Sequence, residues 1–175
     1  FQLHVRAPSG TRLEETELLF AKVEQTVRRV IPPSDLALML DNIGLTTYGV
    51  ALAVGSNATV GPADGDMLVQ LKPDHRGSTW DYVRALRKEL PKQFPGVTFF
   101  FQPADMVNQV LNLGLPAPID VQISGRAPGN YDLARALAKE ISKIPGAVDV
   151  RVQQVMDAPE LRFTVDRTKA QQIGL

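Results

Sequence analysis

Residues 2–6, Gln-Leu-His-Val-Arg, alternate polar and apolar side chains, the period of a strand with one buried face. Pro8-Ser9-Gly10 then turns the chain, and Thr11 with Glu14 three residues on predicts a capping box that opens a helix. Leu13, Phe20, Val23, Val27 and Val30 recur at helical spacing, leaving Glu14, Glu15, Glu17 and Glu24 for a solvated face. Ile31-Pro32-Pro33 ends this helix, because proline lacks an amide proton and clashes with the preceding turn, and residues 36–40 read as a return strand. Between Asp41 and Asp66 the periodicity lapses, with glycine at 44, 49, 55, 61 and 65, which predicts a long connection.

The pattern then repeats. Residues 67–71 read as a strand, and Ser78 with Asp81 marks a second helix with Trp80, Val83, Leu86 and Leu90 on one stripe. Pro91 is expected to stop that helix, and residues 97–101 return as a strand. A short helix over 104–111 leads to Gly114-Leu115-Pro116-Ala117-Pro118, whose composition marks a domain boundary. Beyond it a strand over 119–123, a helix capped by Asn130 with Leu133, Leu137, Ile141 and Ile144 on its stripe, and a strand over 148–155 form a third unit. A strand over 160–165 and a helix start at Asp166 follow. Arg6-Ala7-Pro8-Ser9-Gly10 and Arg126-Ala127-Pro128-Gly129 occupy the same strand-to-helix turn. Recurrent turn chemistry and internal duplication both account for this, and the shared position favours duplication.

The class is therefore α+β, with a ferredoxin-like split βαβ sandwich followed by an incomplete second βαβ sandwich. The first subdomain is expected over residues 1–113 and the partial second over 114–175, its closing strand missing. An unpaired sheet edge is association-prone, and a strand pattern already under way at Phe1 has no initiating Met before it. Both features are expected of a piece cut from a larger protein.

Composition narrows the chemistry. Nineteen Lys plus Arg balance nineteen Asp plus Glu, so no net field draws the chain to nucleic acid or an anionic membrane surface. The absence of cysteine removes disulfides, thiolate catalysis and cysteine-based zinc sites. No stretch approaches the roughly 18 to 20 apolar residues of a membrane-spanning helix. His4 and His75 have no carboxylate or second histidine at ligand spacing, so no metal site is expected. Ser56, Ser78 and Ser124 lie outside any Gly-x-Ser-x-Gly elbow, and Gly61 to Gly65 lacks the features of a phosphate loop. No catalytic activity and no cofactor are expected.

Phe99-Phe100-Phe101 carries more information. Side chains alternate across a strand, so these rings must divide between the two sheet faces. A ring left in water on the face without helices would forfeit about 1.5 to 3 kcal/mol, so another surface should cover it. A neighbouring domain and an apolar ligand cleft both answer that need. RNA recognition is disfavoured, because the strand carries no Lys or Arg beside its aromatics.

Several pieces together resemble the resistance-nodulation-division (RND) efflux transporters. They are His4-Val5-Arg6-Ala7-Pro8-Ser9-Gly10, the Gly-rich loop after Asp41-Asn42, the strand at 67–71, the aromatic strand at 99–101, and Phe163-Thr164-Val165-Asp166-Arg167-Thr168-Lys169-Ala170 with Leu175 after Gly174. Their order resembles the family's second large periplasmic loop, which contributes porter subdomains. The resemblance implies the periplasmic portion of a bacterial inner-membrane, proton-driven exporter, working as a homotrimer with a periplasmic adaptor and an outer-membrane channel. It implies hydrophobic or amphiphilic small molecules as cargo, handled in a cleft flanked by the two subdomains.

By position, residues 41–49 resemble the loop that separates the outer and inner substrate pockets of such pumps. Ile43 and Leu45 stand where drug-exporting members carry aromatic residues. Phe99 and Phe101 resemble the strand lining the cleft, Met106 and Gln109 follow where the chain crosses to the second subdomain, and His4 and Arg6 would lie on the facing first strand. Two alternatives remain. A heavy-metal exporter would use methionine thioethers, but Met39, Met67, Met106 and Met156 are scattered along the chain. A freestanding ferredoxin-like module binding a metabolite would need a complete second sandwich.

Overall fold

A computed structural model describes residues 1–44, 61–102, 117–125, 129–155, 159 and 164–172. Four strands form one antiparallel sheet: β1 (Gln2–Arg6), β2 (Leu36–Ile43), β3 (Asp64–Leu71) and β4 (Thr98–Gln102), in the spatial order β2-β3-β1-β4. Helix α1 (Leu13–Val30) connects β1 to β2, and helix α2 (Thr79–Gln93) connects β3 to β4. This order and connectivity are those of the split βαβ sandwich expected from the two repeated units. Helices α3 (Asn130–Ile141) and α4 (Arg167–Gln172) follow in the second part of the chain.

The apolar stripes of α1 and α2 pack as their periodicity requires, apart from exposed Leu13 and Trp80, whereas Leu133, Leu137 and Ile144 of the third predicted stripe are exposed. Leu3 and Val5 of β1 and Met67 and Val69 of β3 face Phe20, Val23 and Val27 of α1, Ile31 just beyond it, and Leu86 and Leu90 of α2. All ten are buried in a single cluster. At Gly65 the layers are too close for any side chain. An added Cβ there would lie 2.6 Å from the Phe20 ring and 2.7 Å from the Asn42 carbonyl oxygen.

Several boundaries differ from the sequence expectation. β2 runs three residues further, and β3 begins three residues earlier than the apolar run suggested, at Asp64. Asp64 and Asp66 read as loop residues in isolation, but in the sheet they pair with Arg6 and His4 of β1. No capping box forms at α1: Arg12 is its N-cap, and the Thr11 hydroxyl donates instead to the Pro8 carbonyl at 2.6 Å, closing the preceding turn. Ser78 likewise makes no side-chain cap bond to α2. Pro91 lies inside α2, because a proline in the last turn removes only one helical hydrogen bond while buried Leu90 beside it holds the turn in place. Trp80 leaves the predicted stripe and is exposed.

Asn130 begins α3 rather than capping it; Gly129 is the N-cap, and the Asn130 amide reaches back to the Gly125 carbonyl. The α4 start is as read, with the Asp166 carboxylate accepting from the Lys169 amide at 3.2 Å. Residues 119–123 and 148–155, expected as strands, join no sheet among the described residues. A ladder needs a partner, and most of the third expected strand, 160–165, lies outside the described residues, as does the short helix expected over 104–111.

Turn chemistry at the end of the sheet opposite Gly65 rests on Asp35. Its buried carboxylate accepts from the Gly77 and Arg76 amides, the Tyr82 hydroxyl and the Ser34 hydroxyl. Those hydrogen bonds, led by that of Gly77, hold it well below the usual carboxylate range. Replacing Gly65 by Ala should lower unfolding stability by about 1–3 kcal/mol in chemical denaturation, because both the Phe20 ring and the strand backbone would have to move.

Candidate functional site

The register of the sheet sorts its side chains onto two faces. Leu3 and Val5 point to the helices, so Gln2, His4 and Arg6 point to the opposite face, open in the sense that neither α1 nor α2 lies on it, although Gln2 and His4 are buried. Across from them stand Leu68, Asp66 and Asp64 on β3 and Gln102, Phe100 and Thr98 on β4. β2 adds Leu38, Leu40 and Asn42, paired with Gln70, Leu68 and Asp66.

The centre of this face is a buried polar cluster. His4 is fully buried, with Nδ1 2.8 Å from the Asp66 carboxylate and Nε2 3.3 Å from that of Asp64. Arg6 Nε donates to the same Asp64 oxygen at 2.7 Å. Burial alone would raise the Asp64 pKa, but the hydrogen bonds from His4 and Arg6 outweigh it and hold the group below its ordinary value. The His4 ring stacks on Phe100 at a centroid distance of 4.2 Å. Both histidine nitrogens face carboxylates, so neither is left to ligate a metal. Among the described residues no group of three His, Asp or Glu side chains could hold a metal ion.

The second part of the chain meets this sandwich through polar contacts. The Arg151 guanidinium lies 3.5 Å from the Phe100 ring centroid, and Arg6 Nη1 donates to the Gln153 carbonyl at 3.2 Å. Asp149 adopts a left-handed backbone, φ 57°, a conformation aspartate tolerates better than most residues. Its carboxylate accepts from Arg87 Nε and Nη2 of α2 at 2.8 and 2.6 Å, and from the Phe101 amide of edge strand β4 at 3.1 Å. One carboxylate thus ties the 149–153 segment to both a helix and a sheet edge. Burial lowers the pKa of Arg151 to about 10, with nearby Arg6 acting in the same direction.

His4 and Arg6 therefore share that face of β1. Phe99 and Phe101 do not: they stand opposite Val5 and Leu3, partly buried against the helix-side core, with Arg87 over Phe101 at 5.0 Å. Phe100 takes the position beside His4. Ile43 also packs against the helix-side core, and Leu45, Met106 and Gln109 lie outside the described residues. Gln2, Gln102, Asp149 and Arg151 carry no motif. The alternation in β1 would have found the first two once its pairing partner was known.

A family model described as AcrB/AcrD/AcrF matches residues 1–175. The chain belongs to the AcrB/AcrD/AcrF family. Two crystal forms of a heavy metal efflux pump share this AcrB-family chain's fold, each with a TM-score of 0.75, at 21% and 20% sequence identity. Each comparison covers 99% of this chain but only 18% of the pump, so the chain spans less than a fifth of that protein's length. No curated protein matches the sequence. None of the family chain's described helices is long and apolar enough to cross a membrane.

One titration and one substitution test these contacts. Asp41, on the helix-side face of β2, is pushed up to about 7, first by burial and then by the neighbouring Glu24 carboxylate. Its folded pKa exceeds its unfolded value, so the folded chain binds the extra proton and stability should fall as pH rises from about 4 to about 7. Discounted for its partial exposure, the change should be about 1–2 kcal/mol in denaturation midpoints across that window, and Asp41→Asn should flatten it. Asp149→Ala should free the Phe101 amide, raising its hydrogen-exchange rate by at least about tenfold, the scale of a lost charged hydrogen bond.

Proposed function

We propose that this chain handles substrate in a proton-driven RND exporter. In this reading it lies on the periplasmic side of a bacterial inner membrane, and its open sheet face and the 149–153 segment bound a passage for hydrophobic or amphiphilic compounds. The observation that carries it is the composition of that face. Leu38 and Leu40 of β2 are half-exposed on the same sheet face as Phe100, which is itself already covered, with His4 and Arg151 against it. Apolar side chains held at a sheet surface need a cover, and an apolar ligand can supply it.

The contacts that join the two parts support a passage that opens. Ion pairs, a backbone hydrogen bond and a cation-aromatic contact can be exchanged for water at lower cost than a shared apolar core. The full-length protein would then be a homotrimer working with a periplasmic adaptor and an outer-membrane channel. Its proton-carrying acids would lie in membrane helices, leaving this part a binding surface and not an enzyme. The division into porter subdomains at residues 1–113 and 114–175 belongs to the same proposal.

Heavy-metal cargo has less support from the residues present, although the structural neighbours carry that description. Met67 is fully buried in the core, Met39 packs against it, and the His4 nitrogens are both committed. Met106 and Met156 lie outside the described residues.

Fluorescence titration with N-phenyl-1-naphthylamine tests the proposal. Phe100→Leu keeps an apolar side chain but removes the ring, and should weaken binding about tenfold, equivalent to about 1.4 kcal/mol. Phe99→Leu, on the helix side, should leave affinity unchanged. Absence of binding by the folded chain, or sensitivity to Phe99 alone, would overturn the assignment.

A further inference from the structure

Zero net charge conceals an uneven distribution. The end of the first sandwich that Asp35 braces gathers Arg28 and Arg29 from the last turn of α1, Lys72 and Arg76 from the turn after β3, and Arg84 of α2. Hydrogen bonds hold these segments together. Lys72 Nζ donates to the Pro33 carbonyl at 3.0 Å, and the Asp35 carboxylate accepts from the Arg76 and Gly77 amides and the Tyr82 hydroxyl. Asp74 and Asp81 are the exposed carboxylates of the same segments, the second paired with Arg84, while Glu24 is partly buried against Arg28 and Asp35 lies under its own hydrogen bonds. Cations prevail at this surface. Glu14, Glu15 and Glu17 lie about 20 Å along the axis of α1 from Arg28 and Arg29, at about 1.5 Å per residue, whereas salt at about 0.1 M screens charge over about 10 Å. A charged partner at this end meets the cations without the acids that balance them.

Trp80 stands at the same end, in the first turn of α2. It is 72% exposed, the one exposed aromatic side chain among the described residues and the one tryptophan of the chain. Asp35 fixes the turn before it, and buried Val83, Leu86 and Leu90 bind the other side of the helix to the core, so the indole is held outward. The headgroup layer of a bilayer is where tryptophan concentrates and where long Lys and Arg side chains reach phosphates. A bilayer also asks for no fixed arrangement of charges, which here come from three separate segments. We propose that this end of the first sandwich rests on an anionic phospholipid surface, with Trp80 at headgroup depth and Arg29, Arg76 and Arg84 towards the phosphates. The contact is separate from the passage and does not rest on it.

Vesicle titration of the chain, followed through Trp80 fluorescence, tests this contact. Equimolar phosphatidylglycerol and phosphatidylcholine vesicles should move the emission to shorter wavelength and protect it from acrylamide quenching, whereas pure phosphatidylcholine should do neither. Each surface cation is worth about fivefold, so Arg29→Gln combined with Arg76→Gln should weaken partitioning about 25-fold. Both side chains are exposed, so the melting temperature should not move. Trp80→Ala, followed by sedimentation with the anionic vesicles, should also bind less. Unchanged emission, an equal response to the two vesicle types, or a double variant that partitions like the parent would overturn the proposal. So would a spectral shift with poly-L-glutamate and none with vesicles, which would give the surface to an acidic protein. The dye titration of the passage, made without vesicles, is independent of all these outcomes.

Discussion

The rest of the structure depends on the alternation along β1. This strand lies inside the sheet, pairing with β3 on one side and β4 on the other, so the direction of its side chains sets the direction of theirs. Leu3 and Val5 enter the core, and His4 and Arg6 are thereby committed to the opposite face. A slip of one residue would exchange the two sets, placing a histidine and an arginine under the helices. Burial of Leu3, Val5, Met67 and Val69 against α1 and α2 makes that slip costly, so the core specifies the polar face as firmly as it specifies itself.

That polar face is built differently from the core. Its members are held by charge and direction: His4 between two carboxylates, Arg6 on one of them, Phe100 under a guanidinium. Buried charged groups of this kind are costly unless each has a partner, and Asp64 faces both His4 and Arg6. The segment at 149–153 completes the arrangement with polar and cation-aromatic contacts. Asp149 binds a helix residue and a strand amide together, and Arg151 lies over the aromatic ring.

Family membership and geometry bear on different levels of the same question. The family match spans the chain and the fold likeness covers nearly all of it, which places the sandwich in an established architecture. Substrate chemistry is a matter of particular side chains. The heavy metal efflux pump shares the fold, and in this chain the sheet face away from α1 and α2 presents paired acids, amides and leucines. A shared fold does not by itself fix the cargo.

Much of the sandwich was legible in order. Alternation marked β1, short apolar runs between turns marked the other three strands, and helical spacing marked both helices of the first sandwich, because apolar burial imposes those patterns. Proline and capping signals were less dependable: Pro91 sits within α2, and Thr11 closes a turn instead of capping a helix. The alternation of three phenylalanines required that they divide between faces, but not which ring went where. That was decided by pairing, since Phe100 faces outward only because it stands opposite His4 in an antiparallel register. Asp64 and Asp66 were invisible as strand residues for the same reason: their partners, His4 and Arg6, lie about sixty residues away. The sequence by itself determined periods, breaks and class, which are local consequences of side-chain burial. Only the tertiary structure decided which residues share the open face, because that depends on hydrogen-bond register between strands remote along the chain.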